Sequence, residues 1–168
     1  MMSSFLSKLL TARQAIFTEE EIEILEMKYV LHPLETLVDF QKNLNDEKKM
    51  EEFGYFLFQN IFDHLKKRFS LEESKISDLW INLFNLCGFG KIDLINISEK
   101  ESIVEIKNNN FARIYISKNK QQKQPVCHII RGSLRLTFER IYGKKFECKE
   151  TQCIATGSKS CVFKIISI

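Results

Sequence analysis

The stretch from Pro125 to Ile166 limits this chain more than any other. It places Cys127, Glu150, Cys153 and Cys161 in local settings that turn side chains inward. Pro125 suits the first turn of a helix, where its missing N–H costs nothing. Beyond it, Ile130, Leu134, Phe138 and Ile141 recur at three- and four-residue steps, which predicts one buried helical face beginning at Cys127. A thiol in a first helical turn feels the positive end of the helix dipole, and that favours its thiolate. Gly143 ends the helix. From Lys144 to Glu150 the chain alternates, with Phe146, Cys148 and Glu150 on one side and Lys145, Glu147 and Lys149 on the other. A carboxylate sharing a face with Phe146 is expensive to bury unpaired. Cys153 follows in a turn, Gly157 marks a tight connection, and Cys161, Phe163 and Ile165 share the inward face of the last strand.

The residues alone leave two readings. Three thiolates and one carboxylate could gather round a cation, for which zinc suits better than calcium or magnesium. Alternatively the cysteines pack as small hydrophobes. No CxxC pair exists to decide between them.

Pro125-Val-Cys127, Glu150-Thr-Gln-Cys153, Gly157 and Cys161-Val-Phe163 together resemble the signature of the vinyl-4-reductase domain family. The spacing, 23 positions from Cys127 to Glu150, then 3, then 8, is similar to that of its aromatic-sensing members. The resemblance implies that Cys127, Glu150, Cys153 and Cys161 are the ligands of a closed zinc site. It implies a family domain over residues 22–168, with residues 1–21 as a helical extension of the same single domain. It also implies binding of a hydrophobic or aromatic hydrocarbon in a sensory or carrier role, and kinship with folds found in vesicle-tethering and haem-based nitric-oxide sensor proteins. The family's name points to an alternative, a component of a reductase acting on a vinyl-bearing tetrapyrrole; a structural dimeric adaptor is the third reading. Against an enzyme, the chain has no dinucleotide fingerprint, and four protein ligands leave a metal no open position. The polar groups that anchor a phenol hydroxyl in the aromatic sensors have no convincing counterparts here, so phenol specificity does not carry over.

The upstream chain supplies the body for this clasp. An amphipathic helix is expected from Ser3 to about Arg13, and a hairpin or bent strand from Glu20 to Leu31 with a break at Leu25-Glu26. Helices follow from Pro33 to Leu44 and from Glu47 to Phe69. The capping-box pattern Ser70-Leu-Glu-Glu73 opens another, with Ile76, Leu79, Trp80, Leu83, Phe84 and Cys87 on one face, stopped at Gly88-Phe-Gly90. Three strands are expected over 91–97, 102–107 and 111–117. The sum is an α+β fold: an antiparallel sheet with helices packed on one side, closed by the C-terminal helix and hairpin.

The stripe on 47–69 is wider than one core contact needs, because Tyr55 and Phe56 extend it. That predicts a homodimer through the helices of the first half, or a ligand cavity. With 14 phenylalanines in the chain, most must be core. Phe56, Phe58, Trp80, Phe84 and Phe111 are the candidate lining of a pocket for a hydrophobic small molecule, with Gly54 leaving space at its wall. His128 adjoins Cys127, but consecutive helical residues point about 100° apart, so both hardly serve one metal. Cys148 shares the face of Glu150 and is expected, like Cys87, in the core; Cys148 and His128 remain the possible substitutes for a named ligand.

A length of 168 residues with 44% hydrophobic and 28% charged residues suits one soluble domain. The formal charge of +3 is spread along the chain, which argues against a nucleic-acid partner. No apolar run approaches the roughly 20 residues of a membrane span, and residues 1–17 lack a signal-peptide core. Five cysteines, an odd number, fit a metal site plus spare thiols better than a disulfide framework. A cytoplasmic protein is therefore expected.

Overall fold

The computed structural model describes residues 4–70 and 73–168. The chain divides into two units, one ending at Pro33 and one running from Leu34 to Ile168. The first holds α1 (Ser4–Thr11) and an antiparallel meander of β1 (Ala15–Phe17), β2 (Ile22–Ile24) and β3 (Met27–Tyr29). Leu25 and Glu26 join β2 to β3 with φ of 53° and 63°. Two successive left-handed residues are what a two-residue hairpin turn demands. The expected hairpin is thus present, and its break falls at Leu25-Glu26.

The second unit runs α2 (Leu34–Leu44), α3 (Glu47–Phe69), α4 (Glu73–Leu86), β4 (Lys91–Asn96), β5 (Glu101–Lys107), α5 (Asn110–Asn119), α6 (His128–Tyr142), β6 (Phe146–Gln152) and β7 (Cys161–Ser167). Its four strands form an antiparallel sheet in the order β4-β5-β7-β6. This is the expected α+β class. Burial alternates along β5, β7 and the first five residues of β6, while β4 exposes Leu94 and Ile95 in succession. Val104, Ile106, Phe163, Ile165, Phe146 and Cys148 are buried, while Glu147, Lys149 and Lys107 are exposed. Helix α6 packs on β6 and β7, and α3 packs on α6.

Two glycines set the distance between α3 and α6. A Cβ at Gly54 would lie 2.0 Å from the Ile129 carbonyl oxygen, and one at Gly132 would lie 1.9 Å from that of Glu51. Each helix therefore presents a glycine to the other's backbone. The space expected beside Gly54 at a cavity wall does not exist, because α6 fills the position. Pairs of the two helices advance together, Arg131 with Glu51 at 2.9 Å and Arg140 with Asp63 at 3.0 Å, so the helices run in the same direction. The Tyr55 hydroxyl donates to Glu139 Oε2 at 2.9 Å, and the Arg135 guanidinium sits 5.0 Å above the Tyr55 ring. Tyr55 is thus engaged within the chain, while Phe56 remains 61% exposed.

Elsewhere the structure departs from the sequence pattern. Residues 111–117, expected as a strand, form most of α5. The Asn109 side chain accepts from Ala112 N at 3.2 Å and caps the helix, and left-handed Asn108 turns the chain into it. The apolar residues Phe111, Ala112, Tyr115 and Ile116 fit a helical face as well as a strand, and the cap decides. Cys87, expected in the core, is exposed at the end of α4. The capping box falls partly on residues 71 and 72, outside the described residues; Ser70 itself closes α3 in the left-handed conformation.

Replacing Gly54 or Gly132 by Ala pushes a methyl group into rigid backbone, and neither helix can retreat without lifting off its neighbours. Each substitution should cost about 3 kcal/mol or more, lowering Tm by roughly 6–12 °C. Differential scanning calorimetry of the two variants measures this; a shift under about 2 °C for both would refute the close crossing.

Candidate functional site

Cys127, Glu150, Cys153 and Cys161 meet at one buried point, with one ligand atom from each within 4.8 Å of all the others. Every one of the four comes from a different local geometry. Cys127 is the residue before α6, with φ −84° and ψ 50°, so it sits at the helix entry and not within its first turn. Glu150 lies on the buried face of β6, next to a register shift between Glu150 and Gln152. Such a bulge re-aims side chains at the rim of a sheet. Cys153 follows that strand and starts the turn Ile154–Thr156, which Gly157 ends at φ 100°. Cys161 opens β7 opposite Ile106 of β5.

The sulfurs form a nearly equilateral triangle: Cys127 to Cys153 is 3.9 Å, Cys127 to Cys161 is 3.8 Å and Cys153 to Cys161 is 3.9 Å. A tetrahedral zinc with bonds of about 2.3 Å to sulfur places its sulfurs about 3.8 Å apart. Glu150 accepts from Cys127 N at 2.9 Å through Oε2, while its Oε1 is buried with no partner. An orphaned carboxylate oxygen beside three thiols fits the fourth corner of such a tetrahedron. The residues present therefore suit a metal ion: Cys127, Cys153, Cys161 and Glu150 would hold it, and it would supply the positive charge this set lacks.

Without that charge the four groups compete. Burial, and then the charge on Cys153, push Glu150 up to about 8. Burial, and then the bonds to Cys153 and Cys161, hold Cys127 well above the ordinary thiol range. At Cys161 the bond with Cys127 favours the thiolate, but hydrogen bonding to Cys153 and burial outweigh it and raise the group. Cys153 alone is lowered, because Cys127 and Cys161 both donate to it. Opposing shifts of this kind mean that the set does not hold four negative charges together without a cation.

Two further contacts to the sulfurs escaped the sequence reading. Asn109, fully buried, donates Nδ2 to Cys127 Sγ at 3.3 Å while its oxygen caps α5. The backbone N–H of Ile154 donates to Cys161 Sγ at 3.3 Å. Both would spread the charge of a thiolate. In sequence Asn109 reads only as a turn residue; nothing local indicates that it faces Cys127. Of the two possible substitutes, Cys148 is a buried neutral thiol on β6, outside the four-residue set. His128 is buried too, and burial, then the nearby Arg131, lower it to about 4.

A cavity of about 340 Å³ opens farther along α6, walled by Trp80 and Ile81 of α4, Leu94 and Ile97 at β4, and Leu134, Phe138, Ile141 and Tyr142 of α6. Of the five aromatics expected to line a pocket, Trp80 lines this one, and Phe56 borders a separate open recess with Tyr55, Arg135 and Glu139. Phe58 and Phe84 lie behind Trp80, with ring centroids 6.0 and 5.4 Å from its own. Phe111 is buried in α5 beside Tyr115, 6.4 Å between ring centres. Phe56 points outward, since α6 takes the Gly54 face of α3 and leaves Phe56 on the opposite one. The aliphatic lining from α6 was legible as a buried stripe, but the stripe does not say which of its members face a void. The Trp80 indole N–H is buried with no partner, and the Thr137 hydroxyl already donates to Ser133 O at 2.8 Å. Among the described residues, no helix is long and apolar enough to cross a membrane.

The family model of the vinyl-4-reductase domain matches residues 103–167. An uncharacterised protein of Methanocaldococcus jannaschii is 30% identical over 163 residues, covering 90% of this chain and 88% of that one. The fold is similar to that of the phenol-responsive sensory domain of the transcription activator PoxR with phenol. That likeness has a TM-score of 0.80 at 15% identity and covers 99% of this chain and 92% of the other. It is also similar to a trafficking protein particle complex subunit 3 from Naegleria fowleri covalently bound to palmitic acid. There the TM-score is 0.55 at 14% identity, with 80% and 95% of the chains covered.

The donor chemistry gives a test. A divalent ion takes all four groups deprotonated, so two or more protons leave per ion and affinity climbs as pH rises. An indicator-dye titration with zinc in weak buffer at pH 7 counts them. Release of fewer than two, or undiminished metal content in Cys153→Ser, would contradict the arrangement.

Proposed function

Since this chain belongs to the vinyl-4-reductase domain family, we propose that it is a zinc-stabilised module that binds an apolar or aromatic small molecule without transforming it. The carrying observation is the apolar cavity between α4, β4 and α6, placed on the same helix whose entry is held by the Cys3Glu set. The occupants of the two folds it resembles, phenol in one and palmitic acid in the other, support the ligand class. Burying roughly 150–250 Å² of an aromatic guest gains about 4–6 kcal/mol at ~25 cal/mol per Å², part of which association costs consume.

In this reading Cys127, Cys153, Cys161 and Glu150 hold zinc, and the ion's role is structural. Four protein donors close its coordination, so the ion fixes the α6 entry against the β6–β7 hairpin and leaves the guest to the cavity. Rigidity at one end of α6 then sets how precisely its other turns shape the cavity wall. Five unpaired cysteines suit the reducing environment of the cytoplasm, which is where we place the protein.

We extend the proposal to a homodimer through α2 and α3. The outer side of α3 exposes Phe56 at 61% and Leu57 at 39%, and Phe40 of α2 is 46% exposed beside Phe53, 6.0 Å between ring centres. Contiguous apolar area of this kind is what a symmetric interface covers.

Two measurements test these readings. Thermal-shift assays of the zinc-loaded protein with phenols, fatty acids, isoprenoids and tetrapyrroles should find one class that stabilises by about 2.7 kcal/mol at a hundredfold excess over Kd, or roughly 5–11 °C. Ile141→Trp, which plugs the cavity, should abolish that shift and keep its zinc. If no class shifts Tm, or the plugged variant responds like the parent, the module does not bind here. Separately, light scattering should give a dimer that Phe56→Glu converts to a monomer; a monomeric parent refutes the interface.

A further inference from the structure

A side chain outside the candidate metal set reaches into it. Asn109 is fully buried, and both ends of its amide are in use. Oδ1 accepts from Ala112 N at 3.2 Å, and Nδ2 donates to Cys127 Sγ at 3.3 Å. Turning the amide over would set its oxygen against the sulfur and its NH2 against the Ala112 N–H. The two bonds together therefore allow a single orientation.

A helix cap alone does not require this residue. Ser, Asp and Asn cap about equally well, and of these three only Asn adds N–H groups that can face a sulfur. Its backbone is held independently of the sulfur contact. Asn110 N donates to Phe89 O at 3.0 Å, and Asn110 Nδ2 donates to Gly88 O at 2.7 Å. A Cβ at Gly90 would lie 3.1 Å from the Asn109 Cα, so the glycine lets the two turns close on each other. The chain beyond α5 is tied to the same centre. Gln122 N donates to Ala155 O at 2.8 Å, and Gln121 Nε2 donates to Thr156 O at 3.0 Å. Both acceptors lie in the turn that starts at Cys153. Helix α5 is thus fastened before and after to segments that carry metal-ligating thiols, and it packs on α2.

We propose that Asn109 is a positioning residue of the metal centre. Its N–H fixes the Cys127 side chain, takes up charge from the Cys127 thiolate when an ion is bound, and makes the start of α5 sensitive to metal occupancy. The amide is no ligand; it acts through the sulfur. A thiolate accepts a stronger hydrogen bond than a thiol. Loading therefore tightens Nδ2 on the sulfur, and with it the cap that the same amide gives Ala112. This rests on the zinc reading and extends it to α5 and, through α5, to α2.

Two variants separate this role from capping. Asn109→Ser keeps a capping oxygen and removes the N–H; Asn109→Ala removes both. In cobalt-loaded protein the sulfur-to-cobalt charge-transfer band should move to longer wavelength in both, because a thiolate that has lost a donor gives up its electron more easily. Zinc affinity, read by competition with a chelator, should fall about tenfold to a hundredfold in both. Hydrogen exchange at the Ala112 amide should slow on zinc loading in the parent and respond less in Asn109→Ser. A serine variant with the parental band and affinity overturns the proposal, as does equal Ala112 protection in the loaded and metal-free parent. Should the variants not fold, the parent decides. Loaded with cadmium-113, it should show proton–cadmium correlations from the β-protons of Cys127, Cys153 and Cys161 and, across the N–H···S bridge, from the Asn109 side chain. The Ile154 N–H, also 3.3 Å from its sulfur, is the internal reference. Cysteine and Ile154 signals without one from Asn109 refute the proposal and leave the zinc reading standing; absence of the cysteine signals refutes the zinc reading and the proposal with it.

Discussion

Cys127, Glu150, Cys153 and Cys161 bring four groups able to carry negative charge to one buried point, within 4.8 Å of each other. Burial penalises each charge, and each charge penalises the next. The protein's own groups relieve only part of this. Cys127 N, Asn109 Nδ2 and Ile154 N donate to the set, enough for one thiolate and not for four anions. Such a constellation is costly as a core, and the same three thiols packed as plain hydrophobes would not need a carboxylate among them. The equilateral spacing of the sulfurs is that of ligands round a small tetrahedral ion.

The rest of the second unit depends on this point because three segments distant in sequence must reach it together. β6 and β7 pair in a register that sets Glu150 opposite Phe163. Cys161 sits opposite Ile106, so the sheet carries the constraint to β5. Asn109 carries it to α5 through the same side chain that caps that helix. From Cys127 onward α6 transmits it to α3, where Gly54 and Gly132 let backbone meet backbone. A contact between backbones has no rotamers to relax, so displacement of α6 at its entry must move α3 with it.

Helix α6 consequently serves three neighbours at once. Its entry is held at the Cys127 cluster; its glycine face meets α3; its later turns, from Leu134 to Tyr142, wall the apolar cavity. The fold likeness to a phenol-responsive sensory domain concerns architecture, and this chain's cavity has its own lining, with Trp80 of α4 facing Leu134 and Phe138 of α6 across it.

Local pattern determined much of this protein. The alternation of Phe146, Cys148 and Glu150 against Lys145, Glu147 and Lys149 requires a strand with one buried face, and the three- and four-residue steps from Ile130 to Ile141 require a helix with one. These periods follow from backbone geometry alone, and with the cysteine spacing they made the four-residue cluster legible. Tertiary structure decided whatever depended on a neighbour from elsewhere in the chain. A glycine reads the same whether it opens a space or admits a backbone, and only the arrival of α6 made Gly54 a contact. Residues 111–117 satisfy either period, and a side chain outside them, Asn109, chose the helix. Phe56 and Phe58 belong to one apolar stripe, and which faces water depends on the side α6 occupies. Voids belong to no residue: a cavity is what packed elements fail to fill, so its lining exists only once the elements are in place.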